Sequence, residues 1–148
     1  MDTGLTYMRM LSEEDVDIFQ LLQIYKMPKI SQFLSISDNY FHYVTNTKNV
    51  YFYKIYESEK MIGTIHLEKH ENLLHMGILV FPIFQRMGLG TKIIKDILND
   101  IFQLDYERIE ISIDEDNTAS LRLFENAGFV ATSKDHELVN FVYRRRSD

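Results

Sequence analysis

"FPIFQRMGLGTKIIKDIL", residues 81–98, decides how this chain is read. The residues before it, "NLLHMGILVF", form an apolar run of strand length. After it Ile93, Ile94, Ile97, Leu98 and Ile101 recur at helical spacing from Thr91 to Phe102. A strand therefore gives way to a helix across Gly88 and Gly90. The first N–H groups of such a helix have no carbonyl partner and point at whatever lies ahead of it. Glycine lets an oxygen approach the backbone closely and permits dihedrals that other residues resist, so the hinge reads as an anion site, with Gln85 and Arg86 as extra donors. Two familiar phosphate loops are excluded. The Rossmann pattern needs a third glycine where Ile93 stands, and the P-loop needs glycine, lysine and then a hydroxyl residue, whereas Gly90 is followed by Thr91 and then Lys92. By itself "QRMGLG" equally fits a plain strand-to-helix turn.

Working outward, "NVYFYKIYES", "KMIGTIHLEKH" and "NLLHMGILVF" read as an antiparallel meander with polar turns between them. Upstream, a short strand ending near Leu11 leads to a helix with Ser12 as N-cap and Glu13, Glu14 and Asp15 in its first turn, where the dipole favours acids. Val16, Phe19 and Leu22, with Ile18 and Leu21, are its expected buried face. Pro28 to Asn46 admits loop or helix before a second helix capped by Ser37. Downstream come a strand, "ERIEISID", a helix, "NTASLRLFENAG", capped by Asn117 and stopped by Gly128, and a final strand pair. The order predicts one α+β domain over residues 1–148, with a mixed sheet covered on both faces.

Composition bounds the chemistry. A chain of 148 residues can bury roughly 68–70% of its unfolded surface in a single core. With 45% hydrophobic and 26% charged residues it reads as a globular protein. No apolar run approaches a membrane span and "MDTGLTYMRM" lacks a signal-peptide pattern, so a cytoplasmic location and no membrane partner are expected. The absence of cysteine removes disulfides, thiolate ligands and any cysteine nucleophile. A net charge of −6 argues against nucleic acid as a partner. The basic run Arg144-Arg145-Arg146 reads as a solvated tail, or alternatively as an anion contact. A metal site built from His66, His70 and His75 is not expected, because they fall across a predicted turn.

Two motifs then narrow the reading. "ILVFPIFQRMGLGTKII" resembles the acetyl-CoA-binding motif of the GNAT superfamily of N-acetyltransferases, and "NTASLRLFENAGF" resembles that superfamily's second motif. They stand in the expected order, and the resemblance runs from about Leu5 to Tyr143. It implies a mixed, mostly antiparallel sheet flanked by helices, in which a splayed strand pair makes the acyl-CoA slot. It further implies that acetyl-CoA is the cofactor, with CoA as product, and that a primary amine is the acceptor. Backbone groups at Leu79 and Val80 would pair with the pantetheine arm. The N–H groups of Gln85, Arg86, Met87, Gly88, Leu89, Gly90 and Thr91 would hold the pyrophosphate, and Asn117 would bond the cofactor's arm. By the same resemblance, residues 33–43 line the acceptor side. Phe124 stands in the cofactor set where the family commonly has tyrosine.

That phenylalanine cannot protonate the departing sulfur. Ser120, one turn earlier on the same predicted helix face, is a substitute, and Tyr143 a weaker one. Candidate bases are His66, Glu68 and His75; His66 and Glu68 share a strand face because side chains repeat every second residue. The expectation is direct transfer in a ternary complex, by a monomer or homodimer. A non-catalytic acyl-CoA sensor is the alternative that Phe124 keeps open.

Overall fold

A computed structural model describes residues 3–145. Its centre is one seven-stranded sheet in the order β1-β2-β3-β4-β5-β7-β6. The strands are β1 (Leu5–Arg9), β2 (Val50–Glu57), β3 (Lys60–His70), β4 (Leu73–Val80), β5 (Arg108–Asp114), β6 (Val130–Asp135) and β7 (Leu138–Arg144). The helices are α1 (Ile18–Tyr25), α2 (Pro28–Ser31), α3 (Tyr40–Asn46), α4 (Leu89–Leu98) and α5 (Thr118–Asn126). All neighbouring strands run antiparallel except β4 and β5. This is the α+β domain with a mixed sheet that the element order predicts. Among the described residues no helix is long and apolar enough to cross a membrane.

Alternation along the strands builds two cores. Ile65 and Leu67 of β3, Leu74 and Met76 of β4, and Ile109, Ile111 and Ile113 of β5 meet Leu89, Ile93, Ile94 and Ile97 of α4 on one face, with Phe124 of α5. On the other face Phe52, Leu79 and Phe81 pack with Leu21, Tyr25, Ile30, Phe41 and Val44 from α1, α2 and α3. That second cover is partial. Over β5 and β7 the same face carries exposed Ser112 and half-buried Glu110, Asn140 and Val142, so the sheet is not fully sandwiched as expected.

The first helix departs from its sequence reading. Val16 and Phe19, expected to be buried, are 92% and 79% exposed, and the buried residues are Leu21 and Tyr25. The cause lies in β2. Lys54, 3% exposed, directs its ammonium to Asp15 at 2.6 Å and Asp17 at 2.8 Å, and Tyr56 also donates to Asp17. These acids neutralise a buried lysine instead of opening a helix, so α1 begins at Ile18 and its phase turns. The Ser12 hydroxyl accepts the Glu14 N–H and its carbonyl the Asp15 N–H, in a local turn ahead of the helix. Similarly α3 begins at Tyr40, behind Asn39, and not at Ser37. Helix α4 ends at Leu98, with Asp100 at φ 64° and Ile101 largely exposed, short of the predicted Phe102.

The C-terminal basic run is not simply solvated. Arg145 pairs with Asp100 and lies 3.8 Å over the Tyr106 ring, while Arg146 lies outside the described residues.

Candidate functional site

Strands β4 and β5 pair only from Leu73↔Arg108 to His75↔Glu110. Strand β4 continues against β3 up to Gly63↔Val80, so beyond His75 it has a partner on one edge only. The register shows which backbone groups line the resulting slot. Phe81 N–H donates to the Ile62 carbonyl at 2.9 Å, and hydrogen-bonded pairs alternate along an antiparallel ladder. Leu79 and Gly77 therefore turn their backbone groups to β3, and Ile78 and Val80 turn theirs to the open side. The Leu79 carbonyl oxygen lies 2.2 Å from where a Cβ on Gly63 would be, which places it firmly against β3. The backbone of Leu79, expected from the sequence to face the slot, faces β3, and it is the backbone of Ile78 that faces the open edge. The Val80 carbonyl accepts the Gln85 side-chain amide at 2.9 Å, so Gln85 tethers the loop to the strand and its side chain is not a free donor.

After a single 3-10 turn, Pro82–Phe84, the chain enters the hinge. Arg86 has φ 65° and Gly88 φ 76°, and residues 85–88 are all exposed. Backbone N–H groups presented through left-handed residues form a concavity suited to anions. No side chain caps α4, and the first helical bond in which Gly88 accepts comes from the Lys92 N–H at 3.3 Å. The Leu89, Gly90 and Thr91 N–H groups thus belong to the unpaired first turn. Their residues otherwise differ. Leu89 is buried in the core, Met87 and Thr91 are exposed, and a Cβ on Gly90 would come within 2.7 Å of Leu123 Cδ2. Gly90 thus serves close packing of α4 on α5, whereas around Gly88 a Cβ would find open space, so of the two glycines Gly88 has the exposed backbone.

On α5, Asn117 caps the helix by accepting the Ser120 N–H at 3.3 Å, and Ser120 is half-buried. Phe124 is 2% exposed and meets Phe129 edge to face at 5.1 Å, making it a core residue rather than one lining an open slot. Tyr143 packs on the same Phe129 ring at 5.3 Å.

The candidate bases lie on the opposite face of the sheet from α5, and two of them are joined. His66 Nε2 is 2.9 Å from Glu68 Oε1, and His66 Nδ1 is 2.6 Å from the Tyr40 hydroxyl. Tyr43 donates to the same Glu68 oxygen at 2.8 Å, and His70 Nε2 is 3.5 Å from the other. Burial pushes the Tyr40 hydroxyl up, so it keeps its proton and donates to Nδ1; Nε2–H then donates to Glu68. Burial works to raise the Glu68 carboxyl, but hydrogen bonds from Tyr43 and His66 outweigh it and hold the group below the usual carboxylate range. His75 is across from Glu68 in register, 4.0 Å from Glu110, and outside this chain of bonds. The β3–β4 hairpin also brings the His70 and His75 rings within 5.5 Å, although no three metal ligands converge among the described residues. Tyr40 and Tyr43 fell within residues 33–43, which the resemblance put on the acceptor side, but nothing local showed that α3 would dock them on β3.

A family model described as an acetyltransferase (GNAT) domain matches residues 6–130. The chain belongs to the GNAT acetyltransferase family. As a GNAT protein it is an acyltransferase by family. It is 25% identical over 105 residues to an uncharacterized N-acetyltransferase, YfmK, of Bacillus subtilis, a match covering 71% of each chain. Among solved structures it is similar to a domain from Methanocaldococcus jannaschii, with TM-score 0.81 and 19% identity over 97% of this chain and 100% of that one. It is also similar to a spermidine N-acetyltransferase from Vibrio cholerae solved with CoA and spermine, with TM-score 0.80 and 13% identity over 97% of this chain and 96% of that one. The GNAT fold is thereby matched over almost the whole chain.

Proposed function

We propose that this protein transfers the acetyl group of acetyl-CoA directly to a primary amine within a ternary complex. The observation that carries the reading is the parting of β4 from β5 after His75↔Glu110, immediately ahead of the left-handed hinge at Arg86 and Gly88. Ile78 offers a backbone N–H and C=O, and Val80 an N–H, as an extra strand edge for the pantetheine arm. One of these N–H groups would polarise the thioester carbonyl. The Gln85 N–H already donates to the Pro82 carbonyl at 3.3 Å, so the hinge N–H groups from Arg86 to Thr91 hold the pyrophosphate, while the Asn117 side chain stands at the start of α5 to meet the arm.

Acetyl-CoA supplies the activated acyl group. The chain's own task is to deprotonate and align the amine. Both ring nitrogens of His66 are engaged, so the amine proton passes to the Tyr40 oxygen as the Tyr40 proton passes to His66 Nδ1. Glu68, held ionised, stabilises the imidazolium. The neutral amine nitrogen bonds to the acyl carbon, the carbon–sulfur bond breaks and CoA leaves as thiolate, and the second proton that the nitrogen sheds as the amide forms goes to that thiolate or to water. A thiol pKa of about 8.5 makes that leaving group tolerable without an acid. Alignment supplies up to ~7–11 kcal/mol against the 10²–10⁴-fold of acid help, so the missing hydroxyl at Phe124 does not prevent turnover. Ser120 remains the candidate acid for the sulfur, directly or through water.

The buried phenylalanine supports one other reading, an acyl-CoA sensor without turnover. Two measurements separate these. Acetyl-CoA at 100 times its Kd adds about 2.7 kcal/mol to stability, seen as a rise in melting temperature. Thiol release with an amine panel reports transfer. A rise without release across a broad panel supports the sensor, and no rise removes both readings.

A further inference from the structure

Strand β4 carries a glycine in its middle that neither backbone nor packing requires. Gly77 lies outside the left-handed region, and a Cβ there would meet only His66 Cβ, at an ordinary 3.9 Å. Glycine in a strand interior weakens the strand, and often marks a place where a ligand comes close. By its own stability the fold would favour a side chain here.

The position of the gap gives it meaning. Gly77 is directly opposite His66 on β3 and two residues past His75↔Glu110, the last pair holding β4 to β5. A side chain at 77 would stand on the same face as His66 and Glu68, between the imidazole and the mouth of the slot. With no side chain at 77, only the His66 Cβ comes within 4 Å of that position, so the face of β4 is lower there, a trough between the Tyr40–His66–Glu68 chain and the parting strands. Glu68 borders that trough with Tyr43, His66 and His70 as its partners. No lysine or arginine pairs with it among the described residues, so the trough suits a cationic amine.

We infer that Gly77 is a specificity-determining residue: the volume at this position sets how bulky an amine can pass from the Tyr40–His66 pair to the thioester carbon. The inference rests on the proposed N-acetyltransfer and names the acceptor class as a cationic primary amine on a narrow arm.

Gly77→Ala and Gly77→Val in the full chain test it. Melting temperature, the acetyl-CoA-induced rise and kcat/KM would be measured against unbranched and branched amines. Both variants should melt at or above the parent temperature and keep the full rise with acetyl-CoA. Turnover should fall with side-chain volume, by at least about ten-fold in Gly77→Val for the bulkiest amine the parent accepts, and less for unbranched ones. Equal activity of parent and Gly77→Val across the panel overturns the inference alone. Loss of folding or of the acetyl-CoA rise in Gly77→Ala also overturns it, because the glycine would then serve the strand or the cofactor. A parent that releases no thiol with any amine overturns the proposed function and this inference with it.

Discussion

The Tyr40 hydroxyl lies 2.6 Å from Nδ1 of His66, and by donating there it leaves Nε2 to face Glu68. A helix that precedes β2 in the chain thereby sets the tautomer of a histidine on β3. The hydrogen bonds join Tyr40 of α3 to His66 and Glu68 of β3 in one chain, the proposed proton path, which ends at the carboxylate.

Tyr40→Phe removes the entry to that path and leaves an apolar ring of nearly the same shape. Turnover with a lysine-like amine should fall about 10²-fold, within the range of general base assistance. The melting-temperature rise with acetyl-CoA should be unchanged. His66→Ala should fall at least as far, and the double variant no further than His66→Ala, since the two act as one unit. Undiminished kcat/KM in Tyr40→Phe would remove the tyrosine from the chemistry.

The hinge can be tested by charge at constant shape. Gly88 has φ 76°, which asparagine and aspartate tolerate better than other side chains. Gly88→Asn should therefore fold and keep most of the acetyl-CoA-induced rise. Gly88→Asp, differing by one negative charge beside the diphosphate, should lose it. Titration calorimetry with CoA measures both, and equal affinity for the two variants would place the diphosphate elsewhere.

Lys54 holds the segment before α1 through Asp15 and Asp17. Lys54→Ala leaves two carboxylates facing a buried cavity and should cost about 3 kcal/mol or more in urea unfolding, as for other broken buried pairs. Neutralising the acids as well, by Asp15→Asn and Asp17→Asn, should return part of that loss. If the single variant unfolds like the parent, the cluster does not organise the segment.

Acid should loosen both clusters. Burial acts to raise Asp17, but the bonds from Lys54 and Tyr56 outweigh it and hold the group below its ordinary value; Glu68 is held low in the same direction. A depressed carboxyl stabilises the fold above its unfolded pKa, about 3.9 for aspartate and 4.3 for glutamate, and that contribution disappears as pH falls through the folded value. Melting temperature should thus drop on acidification below about pH 4, and Glu68→Gln should flatten part of that slope. An identical acid limb in the variant would mean Glu68 is not held low.

Much of this was legible in the sequence. Strand β2 alternates, β3 is covered on both faces from Met61 to Ile65 and β4 reads as an apolar run, so all three carry strand signals, and Gly88 with Gly128 punctuates the helices through local backbone demands. Those signals need only neighbouring residues, and they were enough for the element order and the strand-to-helix hinge. The absence of cysteine and the pairing of two motifs determined the class of chemistry in the same way.

Other features needed partners far away in the chain. Val16 and Phe19 looked like a buried face, but the phase of α1 is set by a lysine on β2 that draws Asp15 and Asp17 to itself. Leu79 was expected in the slot beside Val80, but which backbone edge faces outward depends on the pairing of β4 with β3, and that pairing turns Leu79 inward. Gly90 looked like its neighbour Gly88 until Leu123 was seen beside it, and Phe124 like a slot residue until Phe129 enclosed it. His66 and Glu68 were visible as a pair, yet only the docking of α3 added Tyr40 and oriented the imidazole. Local patterning determined which elements form and where the strand-to-helix hinge falls; long-range register and packing decided which backbone atoms face the open edge of β4 and which side chains are hydrogen-bonded together.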